Sequence, residues 1–398
     1  MANNNKNKIL NVPNLRFPEF TGEWKKSRIG EQFELYSGNT PSRLDKKQFE
    51  GCINWITSGE LKEHYITHTK ETISEEATNS NNLKLLPIGT FIIAIYGLEA
   101  DGVRGTCSII TKESTISQAC MAFLTKGNVE NEFLYSWYKK HGQVIGIKYA
   151  QGTKQQNLSY DILLGFEIAY PPKIEQAKLK HFVSLIDERI STQNKIIEDL
   201  KKLKSTIVDY SYSSQTNEIS LSLLLRQCSE RNRDNSIFKV LSVSNKYGFI
   251  AQSDQFEDRE VASEDTSNYK IVRKGMFAYN PARINVGSIA LYEKEDKGIV
   301  SPMYVCFVAK PSLTPKYFKY YLSSQIFKHE MYKRLEGSVR LCLTFDSLCD
   351  IDIHLPCIDV QEKISKFFTS IEAKVALEEK VKDCLFSQRS YLLQQMFI

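Results

Sequence analysis

The chain has 398 residues, enough for two or three domains that each bury a core of their own. Hydrophobic and charged fractions of 42% and 25% are ordinary for a soluble globular protein, and the net charge of +5 permits a polyanionic partner without requiring one. Nine cysteines without CxxC pairing and the lack of a secretory signal predict a cytoplasmic protein, and the longest apolar run, residues 91–95, is too short to cross a membrane.

The N-terminal stretch is predicted to be a strap, assigned to residues 1–23. Its first eight residues, MANNNKNK, are polar and are expected to be disordered. Two prolines and the pair Phe17 and Phe20 follow. This composition predicts an extended segment that docks onto the rest of the protein and does not fold alone.

Residues 24–170 are predicted to form a first globular module of mixed α and β structure, here called module 1. Apolar runs bounded by turn residues indicate strands, and a longer periodic stretch indicates a helix. The predicted elements are strands at 52–57 and 90–96, a glycine-rich turn at 96–105 and a helix at 130–141.

Residues 173–210 are predicted to form one long helix. Apolar residues recur alternately four and three positions apart, which is the a/d pattern of a coiled-coil strand. A helix of about 36 residues spans roughly 54 Å, so it needs a partner helix unless it is a solvated linker. The seam contains Leu179, Val183, Ile186, Ile190, Ile197, Leu200 and Ile207, with Gln193 and Lys204 at two further positions.

Residues 214–355 repeat the order of module 1 and are predicted to form module 2. Its predicted elements are strands at 238–243, 274–279 and 300–308, and a helix from 315 to about 335. Residue 152 aligns with residue 337, and we call this shift the repeat offset. The same shift aligns the end of the chain with the long helix. Residues 152–190 and 337–375 share 10 identities in 39 positions, where chance gives about two or three.

The chain is therefore predicted to be an internal duplication of one large unit. The predicted fold class is α+β, with two duplicated globular modules separated by two long antiparallel coiled-coil helices and related by a pseudo-two-fold axis. The central spacer helix is assigned to 171–213 and the C-terminal spacer helix to 356–398.

The seam of the C-terminal helix is more polar than the first seam. It carries Glu378, Lys382 and Arg389 where the first helix has Gln193, Ile197 and Lys204. We expect the strap or another subunit to cover part of its distal half. The alternative is that these residues set the register of the coiled coil.

The chain resembles the specificity (S) subunits of Type I restriction–modification enzymes, in four ordered features that cover nearly its whole length. These are the opening VPNLRFPEFTGEW with IGEQFELYSGNTP, the module endings GTKQQNLSYDIL and GSVRLCLTFDSL, the helix starts PPKIEQAKLKHFVSLIDERI and PCIDVQEKISKFFTSIEAKV, and the repeat offset itself. Each feature is weak alone, and their ordered combination is specific.

The resemblance implies that the modules are target-recognition domains and that the helices are spacers. It implies that the strap and the helix ends bind two methyltransferase (M) subunits, and that restriction (R) subunits join a larger complex for phage defence. Adenine methylation and DNA cleavage would then belong to the partners. S-adenosylmethionine and ATP with Mg would bind those partners. This chain would be non-catalytic and would bind no cofactor itself.

A duplicated but diverged chain suits a particular kind of double-stranded DNA target. Identical readers recognise a palindrome, whereas two diverged readers recognise two different half-sites. A spacer of about 54 Å corresponds to about one and a half turns of B-DNA. The predicted target is therefore bipartite and asymmetric, with an unread gap.

The glycine-led loops that end the two modules are the foremost candidates for DNA contact. Glycine permits unusual backbone angles, and hydroxyl and long polar side chains suit phosphate contact or base readout. A plain surface turn is the alternative. The candidates are Gly152, Thr153, Lys154 and Gln155 in module 1, and Gly337, Ser338 and Arg340 in module 2.

Two further groups of residues are candidates for DNA contact. Tyrosines can stack on bases or pack in the core, and Asn and Arg can pair with adenine and guanine edges or simply belong to a turn. The candidates are Tyr96, Arg104, Lys148 and Tyr149 in module 1, and Tyr279, Asn280, Arg283 and Asn285 in module 2.

Catalytic and metal motifs are weak or lacking in the sequence. Residues 280–283 are similar to the Asn/Asp-Pro-Pro-aromatic loop of amino-methyltransferases, but Ala and Arg fill its last two positions. No GxxxxGK[ST] loop occurs. His64 and His68 are expected to share one face of a strand without a third metal ligand, and the cysteines are expected to lie in cores.

Two other functions compete with DNA recognition. One is an enzyme, a detached recognition half with residual chemistry, which would need a nuclease or methyltransferase motif. The other is a coiled-coil assembly adaptor whose modules bind other proteins. Salt-dependent affinity for duplex DNA distinguishes a DNA reader from the adaptor.

Overall fold

The structure is a computed structural model that describes residues 11–100, 102–213, 218–252, 265–337 and 341–398. The predicted disorder of residues 1–8 lies outside the described residues. The chain divides into two compact units, one of residues 1–193 with 381–398 and one of residues 194–380. Within the described ranges, no helix is long and apolar enough to cross a membrane.

Module 1 folds into a main sheet, a smaller sheet and a two-stranded ribbon. Its helices are α1 (Ile29–Gln32), α2 (Glu75–Ser80), α3 (Asn131–Tyr149) and α4 (Tyr160–Gly165). Its strands are β1 (Lys25–Arg28), β2 (Phe33–Ser37), β3 (Ile53–Ile56), β4 (Tyr65–Ile66), β5 (Thr72–Ile73), β6 (Phe91–Ala94), β7 (Cys107–Ile110), β8 (Ser114–Ile116), β9 (Cys120–Thr125) and β10 (Glu167–Tyr170). The strand orders are β2-β9-β6-β7-β4, β5-β3-β8 and β1-β10.

The core of module 1 lies between the main sheet and α3. All four residues of β6, Phe-Ile-Ile-Ala, are buried, as expected of a strand covered on both faces. Phe91 of β6 packs edge-on against Tyr138 of α3, with ring centroids 5.8 Å apart. The predicted helix at 130–141 is confirmed but continues to Tyr149. Its last turns extend to the candidate site described below.

The predicted long helix is α5 (Lys173–Ser211), which is 39 residues long. Its seam residues Leu179, Val183, Ile190 and Ile197 are buried. Because these residues are spaced for one helical face, their burial confirms the period read from the sequence.

Module 2 is also a mixed α and β domain. Its helices are α6 (Leu221–Leu224), α7 (Pro315–Tyr321), α8 (Gln325–Lys333) and α9 (Phe345–Cys349), and α10 (Ile358–Met396) is the second long helix. Its strands are β11 (Glu218–Ser220), β12 (Leu225–Cys228), β13 (Val240–Ser244), β14 (Gly248–Ala251), β15 (Lys270–Val272), β16 (Met276–Tyr279), β17 (Ile289–Leu291), β18 (Gly298–Val300), β19 (Val305–Ala309) and β20 (Asp352–His354).

The sheet topology confirms the duplication. The order β12-β19-β16-β17 in module 2 repeats β2-β9-β6-β7 in module 1, and the β11-β20 ribbon repeats β1-β10. In the smaller sheets, β13 pairs in parallel with β18 as β3 does with β8. An unusual parallel pair inside a largely antiparallel module is hard to obtain twice by chance, so the likeness extends well beyond the segment that revealed it.

Two predicted elements of module 2 are wrong in detail. The strand at 300–308 is two strands, β18 and β19, because Pro302 lacks a backbone N–H and the chain turns between Ser301 and Tyr304. The helix at 315–335 is two helices, α7 and α8. The side chain of Ser324 accepts a hydrogen bond from the Phe327 N–H and so starts a new helix.

The two long helices run antiparallel, as the sequence predicted. In the second unit, Lys201 pairs with Glu379 at 2.6 Å, and Lys204 pairs with Glu372. From the first ion pair to the second, the residue number rises along α5 and falls along α10. The two helices are therefore antiparallel.

Polar residues of the second seam have partners. Arg389 forms an ion pair with Asp187 of α5 in the first unit. The expected strap contact is also present, because the Leu15 N–H donates to the Gln395 carbonyl at 3.0 Å and Asn14 bonds the Gln395 side chain at 3.1 Å. Hydrogen bonds and an ion pair therefore add to apolar packing in this half of the helix, where Leu393 and Met396 are buried.

A buried glutamine attaches each module to its long helix. Gln176 in the first turn of α5 accepts from the Glu130 N–H at 2.9 Å and donates to the carbonyls of Asn128 and Pro171 at 3.0 and 2.8 Å. The Glu130 N–H and the Asn128 carbonyl directly precede α3, and the Pro171 carbonyl precedes α5. The side chain thus ties α3, the connection after β10 and α5 together.

Gln361, which the repeat offset pairs with Gln176, makes the same set of bonds in module 2. It accepts from the Thr314 N–H at 2.8 Å and donates to Ser312 and Pro356 at 2.9 and 2.8 Å. Both glutamines are 1% exposed or less. A buried amide with all these partners satisfied fixes orientation as well as contact.

We expect Gln176→Leu to destabilise the first unit by about 1–3 kcal/mol, because one buried N–H and two carbonyls lose their partner. Urea unfolding followed by tryptophan fluorescence measures this, since Trp24, Trp55 and Trp137 all lie in module 1. Gln388→Leu at an exposed position of α10 is the control and should change stability by less than about 0.5 kcal/mol. Equal unfolding midpoints for the two variants would contradict the role of Gln176.

Candidate nucleic-acid interface

The glycine-led loop of module 1 is a closed surface loop. Gln151 and Asn157 form an antiparallel bridge with two hydrogen bonds of 2.9 Å. Gly152 has a φ of +120°, and a Cβ there would lie 1.9 Å from the Gln155 carbonyl oxygen. Only glycine fits that position without rearrangement of the loop. The tip residues Thr153, Lys154 and Gln155 are exposed.

This loop docks against the glycine-rich turn that follows β6. The Leu158 N–H donates to the Ile95 carbonyl at 2.9 Å, and the Leu98 N–H donates to the Gln156 carbonyl at 3.0 Å. The Gln156 N–H donates to the Glu99 carboxylate at 2.7 Å, which lowers the pKa of that carboxyl group. Two segments that are distant in sequence therefore form one surface.

Arg104 joins the turn, the loop and α3. Its Nη2 donates to the Gln156 side chain at 2.7 Å, and its Cγ lies 3.2 Å from the place where a Cβ on Gly146 of α3 would be. Its Nε is buried, and no residue in the described ranges bonds it. Tyr96 is half-buried and packs against the core of module 1. Both side chains therefore stabilise this surface and are also part of it.

Lys148 and Tyr149 lie at the end of α3, next to this surface. The Lys148 ammonium is 5.3 Å from the centroid of the Tyr149 ring. Tyr149 is 38% exposed and packs edge-on against Phe166 at 4.9 Å. The ring is therefore partly open to solvent. The structure brings together all the candidates predicted for module 1, a group that we call loop cluster 1: Tyr96, Arg104, Lys148, Tyr149, Thr153, Lys154 and Gln155.

Module 2 closes its loop in the same way. Glu336 and Cys342 form the equivalent bridge at 2.9 and 2.8 Å, and Gly337 has a φ of +113°. The Leu343 N–H donates to the Pro281 carbonyl at 3.2 Å, so this loop also docks against the turn after the central strand β16. Two predicted tip residues lie outside the described residues: Ser338 and Arg340.

The turn after β16 is a 3₁₀ helix, Pro281–Val286, that Asn280 caps. The Asn280 side-chain oxygen accepts from the Ala282 N–H at 3.1 Å, so it has a structural task. Arg283 is exposed. Asn285 is half-buried, and its carbonyl accepts from the Tyr332 hydroxyl at 3.2 Å. We call these three residues loop cluster 2.

Tyr279 is not a surface residue, which corrects one expectation. Its ring is fully buried, and its hydroxyl donates to the Leu343 carbonyl at 3.2 Å. Burial raises the pKa of this hydroxyl. Tyr279 cannot stack on a base, because all four residues of β16 are buried.

Sequence reasoning missed two features of these surfaces. Gln156 and Glu99 connect the loop to the turn in module 1, and no local pattern marks them, since their partners are distant in sequence. In module 2, an open cleft of about 890 Å³ lies along the segment after β12, where exposed Arg231 and Arg233 flank the buried Asn232. The Arg-x-Arg spacing is visible in the sequence, but no motif surrounds it, so it does not predict a site.

His64 has a structural setting that differs from the predicted one. Strand β4 contains only Tyr65 and Ile66, so His64 and His68 do not share a strand face. The His64 ring stacks on Tyr135 at 3.8 Å. Its Nε2 lies 3.1 Å from Glu132 and its Nδ1 lies 3.4 Å from Asp187. In the described part of the chain, no group of three or more His, Cys, Asp and Glu residues is placed to hold a metal ion.

A charge network surrounds His64 and connects module 1 to the long helices. Burial acts to lower the pKa of His64, but hydrogen bonds with Asp187 and Glu132 outweigh it and raise that pKa. The same bonds, acting against burial, lower the pKa values of Glu132 and Asp187. The other groups that face this cluster are Tyr65, Lys180 and Arg389.

A protein-family profile for the "Type I restriction modification DNA specificity domain" matches residues 21–202 and 230–385. The two matches cover both modules and most of both long helices. They therefore follow the duplication seen in the sheets.

Three curated relatives are specificity subunits of Type I restriction enzymes. The MjaIX subunit of Methanocaldococcus jannaschii is 28% identical over 185 residues, which are 46% of this chain and 42% of that relative. The EcoR124I/EcoR124II subunit of Escherichia coli is 28% identical over 191 residues, 47% and 46% of the two chains. These two matches span less than half of each relative. The MjaVIII subunit of M. jannaschii is 23% identical over 402 residues, 93% and 90%.

Two solved structures share the fold. The S subunit of a Type I restriction–modification system from M. genitalium matches with a TM-score of 0.54 and 17% identity, over 97% of this chain and 99% of that one. A chain from a study of complex assembly and conformational transition of the type I R-M system gives 0.62 and 15%, over 94% and 97%. At these identities the likeness concerns the fold.

We expect the stability of the first unit to fall as the pH rises through the pKa of His64. Two carboxylates favour its charged form, so its pKa is higher folded than unfolded. The stabilisation is complete below the ordinary value of 6.5 and is lost as the pH rises through the raised pKa. Urea midpoints from about pH 6 to about pH 8.5 should decline in the parent chain but not in His64→Gln. A decline of the same size in both proteins would assign it to another group.

Proposed function

We propose a function from the premise that this chain belongs to the Type I restriction–modification DNA specificity family. The chain is a sequence-specific DNA-binding specificity subunit, and each module recognises one part of the target. The observation that carries this proposal is the double match of the DNA specificity domain to the two modules. The presence of an equivalent loop cluster in each module supports it.

Loop cluster 1 offers the chemistry that DNA recognition requires. The Thr153 hydroxyl and the Lys154 ammonium are suited to phosphate oxygens, and the Gln155 amide can pair with the edge of adenine. Backbone hydrogen bonds at both ends of the loop hold its main chain in place before DNA arrives. A loop that is already ordered loses less conformational entropy on binding, so more of the contact energy appears as affinity.

In loop cluster 2, Arg283 is the leading candidate for base readout. It is exposed at the surface of a rigid 3₁₀ turn, and a guanidinium group can bond O6 and N7 of guanine together. Asn280 is a weaker candidate for readout because its side-chain oxygen already caps the turn. Its contribution to DNA binding is the placement of Arg283.

The two loop clusters are proposed to recognise different half-sites. Position 153 is Thr where its equivalent, 338, is Ser, and position 155 is Gln where its equivalent, 340, is Arg. A glutamine favours adenine and an arginine favours guanine, so the two glycine-led loops carry different preferences. The target is therefore bipartite and asymmetric, with an unread gap between its halves.

Catalysis is proposed to belong to partner subunits. In this proposal the chain itself is non-catalytic, and it brings two methyltransferase subunits and the restriction subunits to the DNA sequence that it selects. S-adenosylmethionine and ATP with Mg bind those partners. The family membership supports this division of labour, because the matched domain is one of DNA specificity.

We expect Lys154→Ala to weaken DNA binding and to flatten its salt dependence. The loss of one phosphate contact lowers the slope of log K against log salt by about 0.9 and weakens all duplexes alike. Gln155→Ala should instead reduce the preference for one base at one position, by about 1–3 kcal/mol. Fluorescence anisotropy with duplexes selected from a random library measures both effects.

Lys112→Ala is the matched control for Lys154→Ala. Lys112 is exposed after β7, and the pairing of Phe91 with Ile109 places it at the other end of the main sheet from loop cluster 1. Its removal should leave the salt slope unchanged. Equal slopes for the parent chain and Lys154→Ala would remove Lys154 from the interface, and no salt-dependent binding by the parent chain would contradict the proposed function.

A further inference from the structure

The strap packs on the start of α5 through one buried carboxylate. Glu175 is 1% exposed, and Arg16 donates to both of its oxygens at 2.7 Å. The Trp24 indole N–H donates to the same carboxylate at 3.3 Å. A buried carboxylate with an arginine and an indole donor is fully compensated, which makes this contact specific for the sequence of the strap.

An aromatic residue of the strap covers the next turn of α5. Phe17 packs edge-on against Phe182 at 5.7 Å, and the Lys178 ammonium lies 4.6 Å from the Phe17 ring centroid. Lys178 also pairs with Glu19 of the strap. The strap therefore places an aromatic ring and a carboxylate on a phenylalanine and a lysine of the helix.

The equivalent face of α10 is exposed. Gln176 and Gln361 make the same hydrogen bonds, so the repeat offset holds in these turns. That offset places Val360, Lys363 and Phe367 where α5 has Glu175, Lys178 and Phe182. Val360 is 39% exposed and Phe367 is 48% exposed, and Lys363 is exposed between them. We call these three residues the bare face.

Among the residues that the structure describes, no second strap lies in the corresponding place. Module 1 is preceded by residues 11–23 of the strap, whereas only residues 212–217 connect α5 to β11. Six residues reach at most about 20 Å when fully extended, and they must already link the two elements. The segment that would cover the bare face by analogy with module 1 is therefore not supplied ahead of module 2.

We propose that the bare face binds an extended segment of a partner protein that carries an aromatic side chain followed closely by a carboxylate. The aromatic ring packs on Phe367, as Phe17 packs on Phe182. The carboxylate pairs with Lys363, as Glu19 pairs with Lys178. This inference rests on the internal duplication and does not depend on DNA recognition.

The chemistry of the bare face excludes a second copy of the strap as the preferred ligand. Val360 replaces Glu175, so Arg16 of another copy would be buried without a carboxylate partner, which is costly. An apolar residue at that position of the partner segment would instead pack on Val360. The partner is thus related to the strap but differs from it at the arginine.

A labelled peptide tests this directly on the full-length chain. The peptide has the sequence of residues 11–24 with Arg16→Leu, and fluorescence anisotropy reports its binding. We expect saturable binding that weakens about tenfold or more in Phe367→Ser, because one buried aromatic contact is lost. Lys363→Glu should also weaken binding. The parent peptide, which keeps Arg16, should bind less tightly than the substituted one.

Phe386→Ser is the matched control, since Phe386 is 49% exposed on the same helix away from the bare face. It should leave peptide binding unchanged, and circular dichroism checks that each variant is folded. Three results would overturn the proposal: no binding, binding that is insensitive to Phe367→Ser, or binding that is lost in Phe182→Ser. The last would show that the peptide replaces the chain's own strap. DNA affinity, measured on the same samples, separates these results from a failure of the proposed function.

Discussion

Two buried glutamines determine how this protein is put together. Gln176 and Gln361 each join the first turn of a long helix to the start of a module helix and to the proline before the long helix. Because an amide in the interior must satisfy both its donors and its acceptor, the module is held in one orientation on its helix. The placement of each module on its long helix depends on that constraint.

The fold was largely predictable because its signals are local or repeated. The seam of α5 from Leu179 to Ile207 repeats within one helix, and the repeat offset makes each module evidence for the other. The predicted elements were wrong where a single capping or turn residue interrupts a longer apolar run. Ser324 caps a new helix inside an apolar, helix-like stretch, and Pro302 divides a run that otherwise has the composition of one strand.

The glycine-led loop of module 1 stands out in the sequence, but the contacts that surround it do not. Thr153, Lys154 and Gln155 stand out because a glycine precedes them, and the structure places them on an exposed loop. The role of Arg104 depends on Gln156 and Gly146, which are distant from it in sequence. The buried position of Tyr279 and the pairing of His64 with Asp187 depend on contacts between distant segments as well. No local pattern contains that information.

The most direct test of the account is a single-molecule methylome of a host without other methyltransferases that expresses this chain with its cognate methyltransferase subunit. The account predicts one interrupted, asymmetric motif with a modified adenine in each half. Exchange of residues 24–170 for the module of another specificity subunit should change one half of the motif and leave the other unchanged. An absence of methylation, with the chain folded and bound to the methyltransferase subunit, would contradict its role as the reader of the DNA sequence.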